Sequence, residues 1–185
     1  MSFCDIKKTL YSQEALKDRV SELAKMIDSE YAGKSLVLVG ILKGAYVFLS
    51  DLSRQLTIPH SIDFMSVSSY VDTKSTGTVK ILTDLRNSVQ DCHVIIVEDI
   101  VDSGLTLSYL IDIISSKGAA TVESCVLLSK PTEMKKSVDV KYLGYAMNPP
   151  EFVVGYGLDY NEMFRNLPFI GVPTEEAVKK YSQNK

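Results

Sequence analysis

The chain has 185 residues, 45% hydrophobic and 23% charged, the balance of a single globular domain and not of a disordered, collagen-like or coiled-coil chain. Twenty basic against twenty-three acidic residues leave a net charge of −3, which excludes a global basic footprint for nucleic acid. Cys4, Cys92 and Cys125 include no CxxC pair, the apolar runs fall far short of a membrane span of roughly 20 residues, and the start MSFCDIKK has no apolar run behind a basic region, so the expectation is a cytoplasmic protein without a disulfide framework.

In chain order, Ser12 is placed to cap a helix in which Leu16, Val20, Leu23, Ala24 and Ile27 recur at helical spacing, with Gly33 beyond its end. SLVLVGIL (35–42) is short, apolar and rich in β-branched residues, which predicts a buried strand. Residues 44–55 return to a helical period, with Ala45, Phe48, Leu49, Leu52 and Leu56 on one side, and Pro59 separates them from a second strand, SIDFMSV (61–67). Residues 66–78 are rich in Ser and Thr and contain Gly77, the composition of a mobile surface loop. A short strand is expected at 79–82, a clear one at 93–97, and a helix at 105–117 with Leu107, Leu110, Ile111 and Ile114 inward and Gly118 as its stop. Strands are expected at 121–128, 140–145, 152–156 and 169–172, with Thr174 capping a last short helix. Strands alternating with amphipathic helices predict an α/β fold, a parallel twisted sheet flanked by helices on both faces.

In such a sheet ligands bind beyond the carboxyl ends of the strands. The segment HVIIVEDIVDSGLTLSYLIDII (93–114) drives an apolar strand into Glu98, Asp99 and Asp102, then into Ser103-Gly104-Leu105-Thr106 at a helix start. Carboxylates gathered so closely repel one another unless a cation or ligand hydroxyls join them. The Ser-Gly-x-Thr turn offers hydroxyls, a glycine and free helix N–H groups, the makings of a phosphate cradle. Together they suit a sugar phosphate with magnesium; the plainer alternative is solvated loop acids beside an N-cap serine. No GxxxxGK[ST] occurs, Gly155-Tyr156-Gly157 is followed by Tyr160 where a dinucleotide fingerprint needs glycine, and His60 and His93 offer little scope for a zinc site.

VIIVEDIVDSGLTL (94–107) resembles the phosphoribosyl-pyrophosphate motif of type I phosphoribosyltransferases. With GILKGAYVFLSDL (40–52), SSYVDTKSTG (68–77), LLSK (127–130) and FVVGYGLDYNEMFRNLPFIGV (152–172) it resembles the hypoxanthine-guanine branch of that family. The resemblance implies one domain, with a core of about 36–145 and a small hood from about 1–12 and 146–185. It implies transfer of the phosphoribosyl group to hypoxanthine or guanine in purine salvage, with Mg2+ as cofactor and a homodimer or homotetramer as the assembly.

By the same resemblance, Glu98 and Asp99 hold the ribose hydroxyls and their magnesium, Asp102 acts as base or acceptor at purine N7, and Ser103, Gly104, Leu105 and Thr106 take the 5′-phosphate. Lys43-Gly44 and Arg165 take pyrophosphate, the Leu42-Lys43 peptide being a candidate cis bond; the alternatives are a solvated lysine and a structural salt bridge. Lys130, a pure donor, pairs with the purine O6 and disfavours adenine. Phe152 stacks on the purine, although a lone aromatic that begins a strand more often belongs to a core. Val153 and Asp159 read the 2-position, and Asp159 holds a second magnesium. Ser69 and Tyr70 open a lid over 66–78. After Lys130 the family commonly has a nearby arginine, whereas this chain reads PTEMKK. A nucleotide-sensing regulator without turnover is the alternative, disfavoured by the retained Asp102, Lys130 and Asp159 and by the acidic balance; a receiver-type domain explains fewer residues.

Overall fold

A computed structural model of the chain describes residues 5–70 and 78–182. In order come β1 (Ile6–Tyr11), α1 (Gln13–Tyr31), β2 (Leu36–Leu42), α2 (Tyr46–Gln55), β3 (His60–Tyr70), β4 (Thr78–Thr83), β5 (His93–Val101), α3 (Leu105–Ser116), β6 (Thr121–Ser129), β7 (Tyr142–Ala146), β8 (Ile170–Pro173) and α4 (Glu175–Ser182). Six strands form one sheet in the order β4-β3-β2-β5-β6-β7. All neighbours are parallel except β3 and β4, which run antiparallel.

β2 sits inside this sheet because it has no polar face: Leu36 to Ile41 are all buried, and a strand covered on both faces reads as a continuous apolar run. Alternate residues divide the core. Leu36, Leu38, Ile95, Val97, Cys125 and Leu127 face α1 and α2, while Val37, Val39, Val94, Ile96 and Val126 face α3. The Ser12 hydroxyl accepts from Ala15 N–H at 3.2 Å to cap α1, whose buried stripe is Leu16, Val20, Leu23, Ala24, Ile27 and Tyr31. Thr174 caps α4 in the same way, through Ala177 N–H at 3.1 Å.

β1 and β8 pair antiparallel as a separate ribbon. It packs with α4 over a third cluster, Val154, Phe164, Leu167, Ala177 and Tyr181, and the Tyr11 and Tyr145 rings, stacked at 4.1 Å, join it to the main sheet. Among the described residues no helix is long and apolar enough to cross a membrane.

Several expectations need correcting. β1 is a strand that the residue pattern does not predict. Residues 66–70, expected as loop, continue β3 and pair with β4, so Ser69 and Tyr70 have strand backbone; the rest of the expected lid, 71–77, lies outside the described residues, as does Cys4. The strand expected at 152–156 is irregular: Val154 exchanges hydrogen bonds with Gly171, but Gly155, Tyr156 and Gly157 all have positive φ, which no strand sustains. β5 extends beyond the apolar run to Val101, so Glu98 and Asp99 belong to the strand itself.

Candidate active site

The parallel register puts the carboxyl ends of β2, β5 and β6 side by side. Lys43, Asp102 and Lys130 are each the first residue past one of these neighbouring strands, and Lys130 N–H donates to Val101 O at 2.9 Å. A cleft of about 250 Å³ opens here, lined by Gly44, Val67, Glu98, Asp99, Asp102, Ser103, Gly104 and Thr106 among others. The acidic end of β5 and the start of α3 therefore share one cavity, as the spacing in the sequence suggests.

Glu98 is buried at 8% exposure. Burial pushes its carboxyl well above the usual range, and the neighbouring Asp99 charge adds to the rise. Burial raises Asp99 as well, opposed by its hydrogen bond from Ile100 N–H at 3.0 Å and by the Arg165 charge. A buried carboxylate with a half-buried one beside it is costly unless something positive joins them. Beyond them, Gly104 occupies the N-cap of α3 at φ 76°, and no side chain caps the helix among the described residues. Its first-turn N–H groups are an anion-binding element at the edge of the cleft. Leu105, the first residue of α3, is 37% exposed.

The Leu42-Lys43 peptide is cis. Gly44 lies against Asp99 so closely that a Cβ there would overlap the carboxylate, and a Cβ on Gly157, at φ 99°, would overlap the Gly44 carbonyl. The turn is thus clamped between the acid strand and the segment around 157. That segment carries an ion network: Arg165 reaches Asp159 at 2.9 Å and Glu162 at 3.5 Å and donates to Gly157 O at 2.7 Å, while Lys43 meets Glu162 at 3.0 Å. The hydrogen bond from Lys43 holds the Glu162 carboxyl below its ordinary range. Lys43, Asp159 and Arg165 are brought together as expected. Glu162 was missed, because one acid in a polar segment carries no periodic or motif signal.

Lys130 Nζ lies 3.9 Å from Asp102 Oδ2, the lysine largely enclosed and the aspartate open. Phe152 is 48% exposed, so it is not the core aromatic that was its alternative; its ring meets Tyr160 edge-on at 5.6 Å. Val153 is buried in the main core. Phe152 and Val153 line neither the acid cleft nor the ion network; Phe152 lies instead in a pocket with Val172, Pro173 and Val178.

A phosphoribosyl transferase domain model matches residues 7–161. The hypoxanthine-guanine phosphoribosyltransferase of Dictyostelium discoideum is 44% identical over 179 residues, 94% of this chain and 99% of that protein. A crystal structure of hypoxanthine phosphoribosyltransferase from Staphylococcus aureus aligns with a TM-score of 0.89 at 44% identity, over 94% of each chain. The Trypanosoma cruzi hypoxanthine phosphoribosyltransferase, in complex with the product IMP, aligns at 0.88 and 36% identity over 95% of this chain and 98% of that one. With the sheet, the acid strand and the helix cradle in agreement, the chain belongs to the phosphoribosyl transferase domain family.

Proposed function

We propose that the chain transfers the 5-phosphoribosyl group from phosphoribosyl pyrophosphate to hypoxanthine or guanine, giving IMP or GMP and pyrophosphate in purine salvage. The observation that carries this reading is the shared cleft: the carboxylates of β5 and the uncapped start of α3 face one cavity, as the two ends of a single sugar phosphate require. Ser103, Gly104, Leu105 and Thr106 take the 5′-phosphate through backbone N–H groups and hydroxyls. Glu98 and Asp99 accept from the ribose hydroxyls, and Lys43, Gly44 and Arg165 receive the pyrophosphate.

N7 and O6 lie on one edge of a 6-oxopurine, and Asp102 and Lys130, 3.9 Å apart, suit that pair. Lys130 donates to O6, where adenine presents a donor of its own and is rejected. Asp102 accepts the proton or hydrogen bond at N7. Phe152 stacks on the ring, and Val153 and Asp159 contact the 2-position. β3 carries Val67 in the cleft wall, and we read Ser69 and Tyr70, at its end, as the start of a lid that excludes water from the site.

Among the described residues no group of three or more metal-type side chains gathers, yet the Glu98–Asp99 pair in the cleft fits magnesium, which takes one or two carboxylates and fills its shell with waters and substrate phosphates. Asp159 is the candidate ligand for a second ion. When bound, magnesium neutralises charge on the pyrophosphate leaving group. We place the whole chain, 1–185, in one domain with a core of about 36–145 and a hood from about 1–12 and 146–185. It is assigned to the cytoplasm, with free Cys92 and Cys125 as support, and to a homodimer or homotetramer.

The test is a spectrophotometric panel of hypoxanthine, guanine, xanthine and adenine with phosphoribosyl pyrophosphate and magnesium. Turnover with hypoxanthine or guanine and none with adenine is expected. Binding of the donor without turnover on any purine would favour a nucleotide sensor instead.

A further inference from the structure

Tyr160 and Met163 exchange backbone hydrogen bonds at 3.1 and 3.0 Å, closing a two-residue turn in which Asn161 (φ 48°) and Glu162 (φ 65°) are both left-handed. Turns of this shape favour Asn and Gly at these positions, so Asn161 fits and Glu162 stands against its own backbone preference. Its side chain explains the exception. Glu162 Oε2 lies 3.0 Å from Lys43 Nζ and 3.5 Å from the Arg165 guanidinium, bridging two cations contributed by distant parts of the chain. Its N–H donates to Asp159 Oδ2 at 2.8 Å, which orients the turn toward them.

We propose that Glu162 is a built-in anion that pairs with the cations of the pyrophosphate subsite, and that pyrophosphate binds by displacing it. The inference rests on the reading of Lys43 and Arg165 as pyrophosphate ligands. The Lys43–Glu162 side chains are 66% and 62% exposed, and ion pairs of that kind are weak enough to exchange for a more highly charged ligand. The carboxylate serves the site in two ways. It keeps two like charges converged while no substrate is present, and it competes with pyrophosphate, so this product leaves more readily than the bare cations would allow.

The experiment titrates inorganic pyrophosphate into the full chain by calorimetry, in EDTA and again with magnesium, comparing wild type with Glu162→Gln, Glu162→Gly and Lys43→Ala. Both Glu162 variants are expected to bind pyrophosphate roughly three- to tenfold more tightly at low salt, the gain shrinking as salt rises. KM for phosphoribosyl pyrophosphate should fall while KM for hypoxanthine holds. A purely structural role predicts the opposite sign, and unchanged or weaker pyrophosphate binding in both variants overturns the inference. Glu162→Gly suits the left-handed backbone, which guards against a misfolded control. If Lys43→Ala weakens pyrophosphate binding while the Glu162 variants change nothing, displacement is wrong and the subsite stands. If Lys43→Ala also changes nothing, the subsite reading fails and takes the inference with it.

Discussion

Lys43, Asp102 and Lys130 come from distant parts of the sequence and meet because each begins the loop after one of three adjacent parallel strands. Of these, Asp102 is the most exposed to a direct test. Asp102→Ala is expected to leave affinity for phosphoribosyl pyrophosphate within a few-fold and to lower kcat by about 10²- to 10⁴-fold; near-normal turnover would remove its role at N7. Lys130→Ala should weaken hypoxanthine binding more than donor binding, and equal loss of both by calorimetry would count against the O6 contact. Glu98 belongs to the same scale. Its carboxyl and that of Asp99 are raised by burial, so the native state holds these protons more tightly than an unfolded chain, whose acids titrate near pH 4. Stability is therefore lost as pH rises from about 4 through the raised values. Glu98→Gln in metal-free buffer should increase Tm at pH 7, with the gain fading toward pH 4. A Tm lowered at both pH values would show that the buried acid is not a strained one.

Helices and strands differ in how much of their origin is local. α1 declares itself through its cap and stripe, and Ser12→Ala should cost about 0.5–2 kcal/mol in chemical denaturation, through loss of the Ala15 hydrogen bond; a change below 0.3 kcal/mol would mean that packing alone sets this end of the helix. β2, β5 and β6 were legible because burial on both faces leaves an unbroken apolar run. β1 was not: Lys7 and Lys8 interrupt it, its outer residues are exposed, and its partner β8 lies at the far end of the chain. Residues 66–70 read as loop by composition, yet pairing with β4 makes them strand, since β-structure depends on the neighbour as much as on the residue. Residues 152–156 misled in the opposite direction, β-branched in composition but bent at Gly155 and Tyr156.

For the whole molecule, the sheet works as a frame that gathers short chemical signals at one edge. The acid strand and its following turn stood out because charge and apolar run abut within a few residues. The ion network was only partly legible: Asp159, Glu162 and Arg165 lie within one short segment, but only the fold brings Lys43 to it, and Glu162 has no local signature at all. Gly44 shows the same dependence: its lack of a side chain matters because Asp99, from another strand, rests against it. The segment around Gly157 and the turn after β2 meet along this seam, where a Cβ on Gly157 would meet the Gly44 carbonyl, so the ion network forms only when both are folded.

The most direct measurement is a crystal structure with phosphoribosyl pyrophosphate and magnesium bound. The ribose diol should lie on Glu98 and Asp99 and the 5′-phosphate on the backbone of residues 103–106, with pyrophosphate reaching Lys43 and Arg165. A donor bound elsewhere, or Glu98 and Asp99 without contact to sugar or metal, would contradict the assignment.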